Sequence, residues 1–421
     1  MEKFDCIVIG GGPAGSTAAT LIAQAGLRTL LLERERFPRF HVGGSLAPEI
    51  YWTLERLGVL PQLKDSRYPC KASVQFVSHT GQALPPFYFH ESDPRECSQT
   101  WQVLRSEFDN MLFQNARQHG ADCREGWRVI DVLMEGNQAV GVLAREAGDE
   151  RPQPIQTSVV IDATGMQTLL ASQLGLRQEL TEQRRATIWA YYRGGRRDTG
   201  INAGATVIHQ AANRRCWFWY IPLADDIVSV GLVADTDYLF CGRNKPEVIF
   251  EEELCQCPAV LERLMNAELF SDFRVLKDFG YMVEPVAGDG WVLVGDAQGF
   301  VDPLYSSGGL FAMKSAEMAA DCVIAGLQQG DLSAEQLGAW VPAFQQGVQW
   351  SRKLADTFYQ DGFCLGEFLR DYPQHRLNLI NLLAGKLFDD DAGLIFQDLD
   401  PWLAARQRPP ASDAALQVHP A

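Results

Sequence analysis

The chain has 421 residues, enough for two or three packed units rather than one core. Hydrophobic residues make up 46% and charged residues 21%, an ordinary globular composition that excludes wholesale disorder. The formal net charge of −16 argues against nucleic acid as a partner, because neutralising phosphates takes clustered Lys and Arg. The 10 cysteines are scattered, and the closest pair, Cys255-Gln256-Cys257, lacks the second half-site that a zinc centre needs. No cleavable apolar leader follows Met-Glu-Lys-Phe-Asp and no apolar run is long enough to span a bilayer. The expected compartment is therefore the cytoplasm, with the thiols reduced.

Residues 4–9 read as an apolar strand buried on both faces. Gly10-Gly11-Gly12-Pro13-Ala14-Gly15 follows at once, then an Ala-rich helix over 16–25. Gly26 ends the helix, and 29–32 form a second strand closing on Glu33, which completes a βαβ unit. Residues 48–57 predict a helix, 74–89 strands with Pro85-Pro86 at an edge, and 105–119 an amphipathic helix with Phe108, Leu112 and Ala116 inward. Residues 129–133 and 139–143 predict a hairpin around Gly136-Asn137, and 159–161 another buried strand. From 179 to 273 the chain alternates in strand fashion, notably over 186–192, 216–222 and 227–233, which predicts a second sheet over the first. Residues 291–294 return to the first sheet, 310–326 are helical, 333–388 mostly helical, and the stretch from Arg408 has a disordered composition.

The expected class is therefore α/β. A Rossmann-like dinucleotide domain takes residues 1–75, 100–175 and 275–330. A second β-sheet domain on the substrate side takes 76–99 and 176–274. A C-terminal helical region covers 331–407, with a disordered tail over 408–421.

A Gly-x-Gly-x-x-Gly turn alone is a weak signal, but here a strand precedes it, a helix follows it and an acid ends the next strand. Gly10 permits the tight turn, Gly12 lets the backbone approach a pyrophosphate, and Gly15 allows close helix–strand packing. The helix start, with Pro13 and Ala14 in its first turn, offers N–H groups and positive dipole to that pyrophosphate. Glu33 would accept hydrogen bonds from ribose hydroxyls. There is one such turn, so the second dinucleotide fold of a self-sufficient NADPH-using flavoenzyme is missing.

Asp162-Ala163-Thr164-Gly165 and Gly295-Asp296-Ala297 both terminate buried strands. They resemble the second and third flavin-contact motifs of the group that contains aromatic hydroxylases, flavin-dependent halogenases and geranylgeranyl reductases. The resemblance implies FAD, with Asp296 on its ribityl or pyrophosphate side and Arg105, in Val-Leu-Arg-Ser-Glu-Phe-Asp, near the flavin. Cys216-Trp217-Phe218-Trp219-Tyr220-Ile221-Pro222 resembles the Trp-x-Trp-x-Ile-Pro motif of flavin-dependent halogenases, with Cys216 in place of the usual Gly. In that family both indoles, here Trp217 and Trp219, stand near the flavin and discourage ordinary monooxygenation. Period-two spacing equally places both on one face of a packed strand.

Phe300-Val301-Asp302-Pro303-Leu304-Tyr305-Ser306-Ser307-Gly308-Gly309 is similar to the family's halide segment. A turn stiffened by Pro303 and leading into a helix offers the N–H groups of Ser307 and Gly308 to an anion. Lys71, in Tyr68-Pro69-Cys70-Lys71, falls where halogenases place their catalytic lysine. A desolvated lysine has a lowered pKa and can hydrogen-bond hypohalous acid or capture it as a haloamine. A single lysine between turns is also commonly an exposed surface charge.

The resemblance runs from Asp5 to about Leu383 and is nearest to the branch acting on phenols or pyrroles, often on a carrier protein. Tyr305 stands where tryptophan halogenases have a glutamate, and Gly44 departs from the family's Val-Gly-Glu-Ser. It implies an FADH2-dependent halogenase that makes hypohalous acid from flavin hydroperoxide and chloride or bromide. FADH2 would come from a separate flavin reductase, with O2 as co-substrate. The alternative within the fold is a flavin monooxygenase or a geranylgeranyl-reductase-like enzyme. Aromatics over 333–388, including Trp340, Phe344, Trp350, Phe358, Tyr359, Phe363 and Phe368, either wall the entrance or fill a helical core. Arg193, Arg196, Arg197, Arg214 and Arg215 are candidates for docking an acidic carrier or are ordinary turn residues.

Overall fold

The computed structural model describes residues 2–149, 151–180, 184–243, 245–277, 279–300, 302–360 and 362–407. The chain opens with β1 (Lys3–Ile9), α1 (Pro13–Gln24) and β2 (Thr29–Glu33). Cys6, Ile7 and Val8 are fully buried, which a strand achieves only when neighbours and helices cover both faces. Accordingly β1 sits inside a parallel sheet, with Cys6 to Ile9 against Thr29 to Leu32 on one side and Lys3 to Ile9 against Gln156 to Asp162 on the other. Trp291–Leu293 extends the sheet beyond Gln153–Asp162, and Asp122–Glu125 extends it beyond β2, all in parallel. The carboxyl ends of β1, β2, 153–162 and 291–293 thus share one edge, where open α/β sheets form their ligand crevice.

The expected hairpin is present as Trp127–Glu135 and Gln138–Glu146, closed by Gly136-Asn137 with Gly136 at φ +63°. A two-residue turn of this kind needs a left-handed backbone, which Gly supplies without steric cost.

The second sheet runs in the order Glu268–Leu269, Arg185–Arg193, Ile227–Asp235, Cys216–Pro222, Thr206–Gln210, Ser73–Val77, Phe87–Tyr88, with Arg274–Lys277 also on Arg185–Arg193. Its faces differ as the alternation requires. Trp217 and Trp219, with Trp189, Ile208 and Val233, join the core shared with the first sheet. Phe218 and Tyr220, with Val207 and Leu232, pack on the other side with Ile249 and Val260 of the helices Pro246–Leu254 and Pro258–Leu264. Ser73–Val77 and Arg274–Lys277 straddle the boundaries expected at 75/76 and 274/275, because ladder pairing keeps each strand whole within the second sheet.

Gly308–Gln329 packs along α1, and helices at Val341–Phe358, Leu365–Asp371, His375–Ala384 and Phe396–Gln407 close the chain. Most of the aromatics named there fill a helical core: Trp340 and Phe368 are buried, and Trp350 stacks on Phe396. The tail expected at 408–421 lies outside the described residues. Among the described residues no helix is long and apolar enough to cross a membrane. The candidate docking arginines are all engaged within the chain: Arg193 over Phe270, Arg196 with Glu262, Arg197 with the Leu223 and Ile227 carbonyls, Arg214 with His79, and Arg215 over Tyr238.

Candidate active site

The crevice at the strand ends deepens into a cavity of about 630 Å³. Gly10, Gly12, Pro13, Ala14 and Glu33 line one end, and Pro303, Ser307 and Gly308 line another part of the same cavity. Arg105, Asp296 and Trp219 also face it, whereas Gly15, Lys71 and Trp217 do not.

The three turn glycines divide the work. A Cβ at Gly10 (φ +104°) would lie 2.5 Å from the Ala163 carbonyl oxygen, and one at Gly15 would lie 1.8 Å from that of Gly10. Both are glycine because backbone packs against backbone. At Gly12 the nearest atom is an Arg39 guanidinium nitrogen at 3.6 Å, so this position faces open space. Next to it is the first turn of α1, with Pro13 pre-set for the helix. An open glycine at a helix start with free N–H groups fits a pyrophosphate.

Glu33 is buried and accepts from the N–H groups of Gly11 (2.8 Å) and Glu35 (2.9 Å) and from Arg39 (3.3 Å). Arg39 in turn donates to Asp109 (3.0 Å), which also binds Arg105 twice, at 2.7 and 3.0 Å. Arg105 spends its remaining arm on the Val42 carbonyl (2.7 Å). Sequence reasoning missed Arg39 and Asp109. Asp109 had a signal, the i,i+4 spacing from Arg105 on a helix, and Arg39 had none.

Asp162 is buried and accepts from the N–H groups of Thr164 (2.9 Å) and Leu170 (2.8 Å), holding the turn that presents Ala163 to Gly165 to the cavity. Burial pushes the Asp296 carboxyl up to about 6, opposed by the Arg105 guanidinium. Thr187 Oγ1 and Gln298 Nε2 are buried on residues of the cavity wall with no partner among the described residues, and both also escaped sequence reasoning.

In the halide segment Asp302 caps a short turn at Pro303–Tyr305 by accepting from the Leu304 N–H (2.9 Å), and Ser306 is left-handed at φ +58°. Ser307 then starts the helix Gly308–Gln329, whose first-turn N–H groups have no carbonyl behind them. Asp302 also accepts from Arg185 (3.0 Å) and from the Tyr359 hydroxyl (3.1 and 3.2 Å). Trp217 Nε1 donates to that hydroxyl at 2.8 Å, and the Arg185 guanidinium stacks on the Tyr359 ring at 3.4 Å. The indoles therefore part company. Trp217 is tied to the halide segment through Tyr359, while Trp219 faces the cavity, donates to Ser229 (3.1 Å) and fills the space a Cβ at Gly231 would need.

Lys71 is not a surface charge; it is 1% exposed. Its backbone belongs to a small three-segment zipper. Cys70 and Lys71 pair with Trp101 and Thr100, and on the other edge Ser45 bridges Gln102, with Val103 N–H on the Gly44 carbonyl at 2.7 Å. This packing explains Gly44: a Cβ there would sit 2.0 Å from the Val103 carbonyl oxygen, so no side chain fits. Lys71 Nζ donates to Ser45 Oγ and to the Leu46 carbonyl, both at 2.9 Å, and stands 5.9 Å from the Phe89 ring centre. Among the described residues it has no carboxylate within ion-pair distance, and burial lowers its pKa to about 7.

Such a crevice, with its open glycine and flanking strand-end acids, defines a dinucleotide-binding flavoprotein, and residues 5–187 match the model of the FAD dependent oxidoreductase family. Two relatives are similar over almost the whole chain. One is a brominase of 1H-pyrrole-2-carbonyl groups on a peptidyl-carrier protein from Pseudoalteromonas luteoviolacea, 30% identical over 399 residues, 92% of this chain and 93% of the relative. The other is the corresponding chlorinase of Pseudomonas fluorescens, 28% identical over 413 residues, 92% and 90% of the two chains. The solved flavin-dependent brominase Bmp2 superposes with a TM-score of 0.84 at 29% identity, over 96% of this chain and 100% of Bmp2. The chain belongs to the flavin-dependent halogenases, an oxidoreductase family that uses FAD and halide.

Proposed function

We propose that this halogenase places chloride or bromide on an electron-rich aromatic, a pyrrole-2-carbonyl group presented by a peptidyl carrier protein, and that Lys71 controls the reactive halogen. The observation that carries the role of Lys71 is its burial without a carboxylate, one hydrogen bond behind a hydroxyl of the cavity wall. The substrate rests on the two relatives named above, each matched over nine-tenths or more of both chains.

Gly12 and the first turn of α1 would hold the FAD pyrophosphate, Glu33 the ribose, and Asp296 with Arg105 the middle of the cofactor. FAD held there, reduced by a separate reductase, would supply, together with O2, the chemistry that oxidises halide to the level of hypohalous acid. The N–H groups of Ser307 and Gly308 hold the halide. Trp219 covers the cavity wall with an apolar ring that keeps water from competing. In the transfer, HOX and ArH become ArX and water, so the departing hydroxide needs a proton while the ring loses one. Lys71, with a pKa brought near neutrality, is suited to that exchange.

The test is mass spectrometry of products from carrier-loaded pyrrole with reduced FAD and chloride or bromide. Lys71→Ala is expected to lower halogenated product per reoxidised flavin by about a hundredfold or more. A retained yield overturns the role of the lysine, and efficient halogenation of free pyrrole-2-carboxylate, indifferent to the carrier, overturns the tethered substrate.

A further inference from the structure

Lys71 is sealed from the cavity, yet chemistry in the cavity needs its proton. The gap is bridged by two hydroxyls. Lys71 Nζ donates to Ser45 Oγ at 2.9 Å, Ser45 Oγ lies 2.9 Å from Thr206 Oγ1, and Ser45 and Thr206 both line the cavity.

The chemistry of the donors fixes the two ends of this chain and permits one direction through its middle. An ammonium has no lone pair, so Ser45 must accept from it. The Gln102 amide nitrogen can only donate; it gives its protons to Thr206 Oγ1 (2.9 Å) and the Gly204 carbonyl (2.8 Å). Ser45, having accepted from the lysine, keeps its own proton and can donate it onward to Thr206. Thr206, accepting from both Ser45 and Gln102, has its own proton left for the cavity. Among the described residues no charged group pairs with Nζ, whose contacts are hydroxyl, carbonyl and the Phe89 ring.

We infer that Ser45 and Thr206 form a proton relay that connects Lys71 to the halogen-bearing oxygen in the cavity, with Gln102 as the positioning residue that polarises it. This rests on the reading of Lys71 given above. As the aromatic carbon bonds to halogen and the X–O bond breaks, Thr206 gives its proton to the departing hydroxide, which becomes water. Ser45 replaces the Thr206 proton and Lys71 replaces that of Ser45, leaving a neutral amine. The proton shed by the ring returns along the same hydroxyls and restores the ammonium, so no reagent beyond hypohalous acid and the arene is consumed. The relay also explains how a lysine can serve the reaction without exposing a nucleophilic nitrogen to hypohalous acid.

Thr206→Val keeps shape and strand propensity and removes the hydroxyl, while Thr206→Ser keeps the hydroxyl. Both are compared with Lys71→Ala as product per reoxidised flavin across pH. The wild type is expected to lose yield as pH rises through about 7, where the ammonium is lost. Thr206→Val should lower the yield about a hundredfold and flatten that profile, and Thr206→Ser should restore both. If Thr206→Val fails to fold, Ser45→Ala takes its place with the same expectation. Wild-type yield and profile in Thr206→Val, alongside lost product in Lys71→Ala, overturn the relay alone. Product retained in Lys71→Ala overturns the reading beneath it.

Discussion

The cofactor cradle and the lysine pocket face the same cavity but are assembled differently. The cradle draws its turn, helix start and Glu33 from one continuous βαβ unit within the first 33 residues. The lysine pocket gathers Ser45, Lys71, Gln102 and Thr206 from four segments, with Ser45 and Thr206 separated by 161 positions. In the cradle's glycine turn, backbone geometry is the functional element and no side chain fits at Gly10 or Gly15. In the pocket, side-chain hydrogen bonds are functional and the backbone zipper only aligns them. Local assemblies of the first kind tolerate distant change, whereas the second kind depends on every segment being in register.

The sharpest way to probe this contrast lies within the cradle itself. Gly15→Val drives a side chain into the Gly10 carbonyl and is expected to abolish soluble protein, whereas Gly12→Val points into open space. The latter should fold with a normal melting curve and weaken FAD binding at least about tenfold, about 1.4 kcal/mol. Equal loss of folding in both variants would erase the distinction between packing glycine and ligand glycine.

A second probe places at position 44 the glutamate that the resemblance to Val-Gly-Glu-Ser implies there. Gly44→Glu should destabilise the protein by about 1–3 kcal/mol in urea unfolding, because the 44–46 and 101–103 segments are too close for a Cβ. Wild-type stability would mean that the zipper is looser than described.

Lys71→Met tests the cost of the buried amine through pH. The folded pKa of Lys71 is lowered to about 7 from an ordinary 10.5, so between these values unfolding takes up a proton and stability rises with pH. Below about 7 the ammonium is buried at full cost. Lys71→Met is therefore expected to melt higher than wild type at pH 6, with the gain shrinking towards pH 10. A gain independent of pH would assign the effect to packing.

The smallest effects separate the two indoles. Trp217→Phe removes a hydrogen bond to Tyr359 and should cost about 0.5–1.5 kcal/mol of stability with little change in product ratio. Trp219→Phe, on the cavity wall, should instead raise the proportion of hydroxylated product. The reverse pattern would exchange their roles.

The same contrast explains what the sequence disclosed. β1, α1, β2 and the hairpin at Gly136-Asn137 were legible because each is set by neighbours a few residues away. The shared face of Trp217 and Trp219 followed from period two, but not that only Trp219 would reach the cavity, whereas Trp217 is bonded to Tyr359, 142 residues later at the end of a helix. Lys71 could be singled out as a candidate by position along the chain. Its partners Ser45, Thr206 and Gln102 could not, since hydroxyls and amides carry no spacing signature and meet only through long-range strand pairing. Asp302 was passed over as a spacer within a motif, although its carboxylate binds two other segments, through Arg185 and Tyr359, besides capping its own turn.

That carboxylate has a bearing on engineering by exchange of parts. Residue 359 follows the helix Val341–Phe358, while its hydroxyl is keyed into Asp302 beside the cavity and braced by Arg185 and Trp217. A chimera that imports the C-terminal helices of a relative to change substrate range therefore crosses a seam inside this knot rather than at a loop. The graft carries only one of the knot's four residues, so a donor lacking a tyrosine there would leave a buried acid, an arginine and an indole without a common partner. Donors should be chosen on that one position before overall similarity is considered.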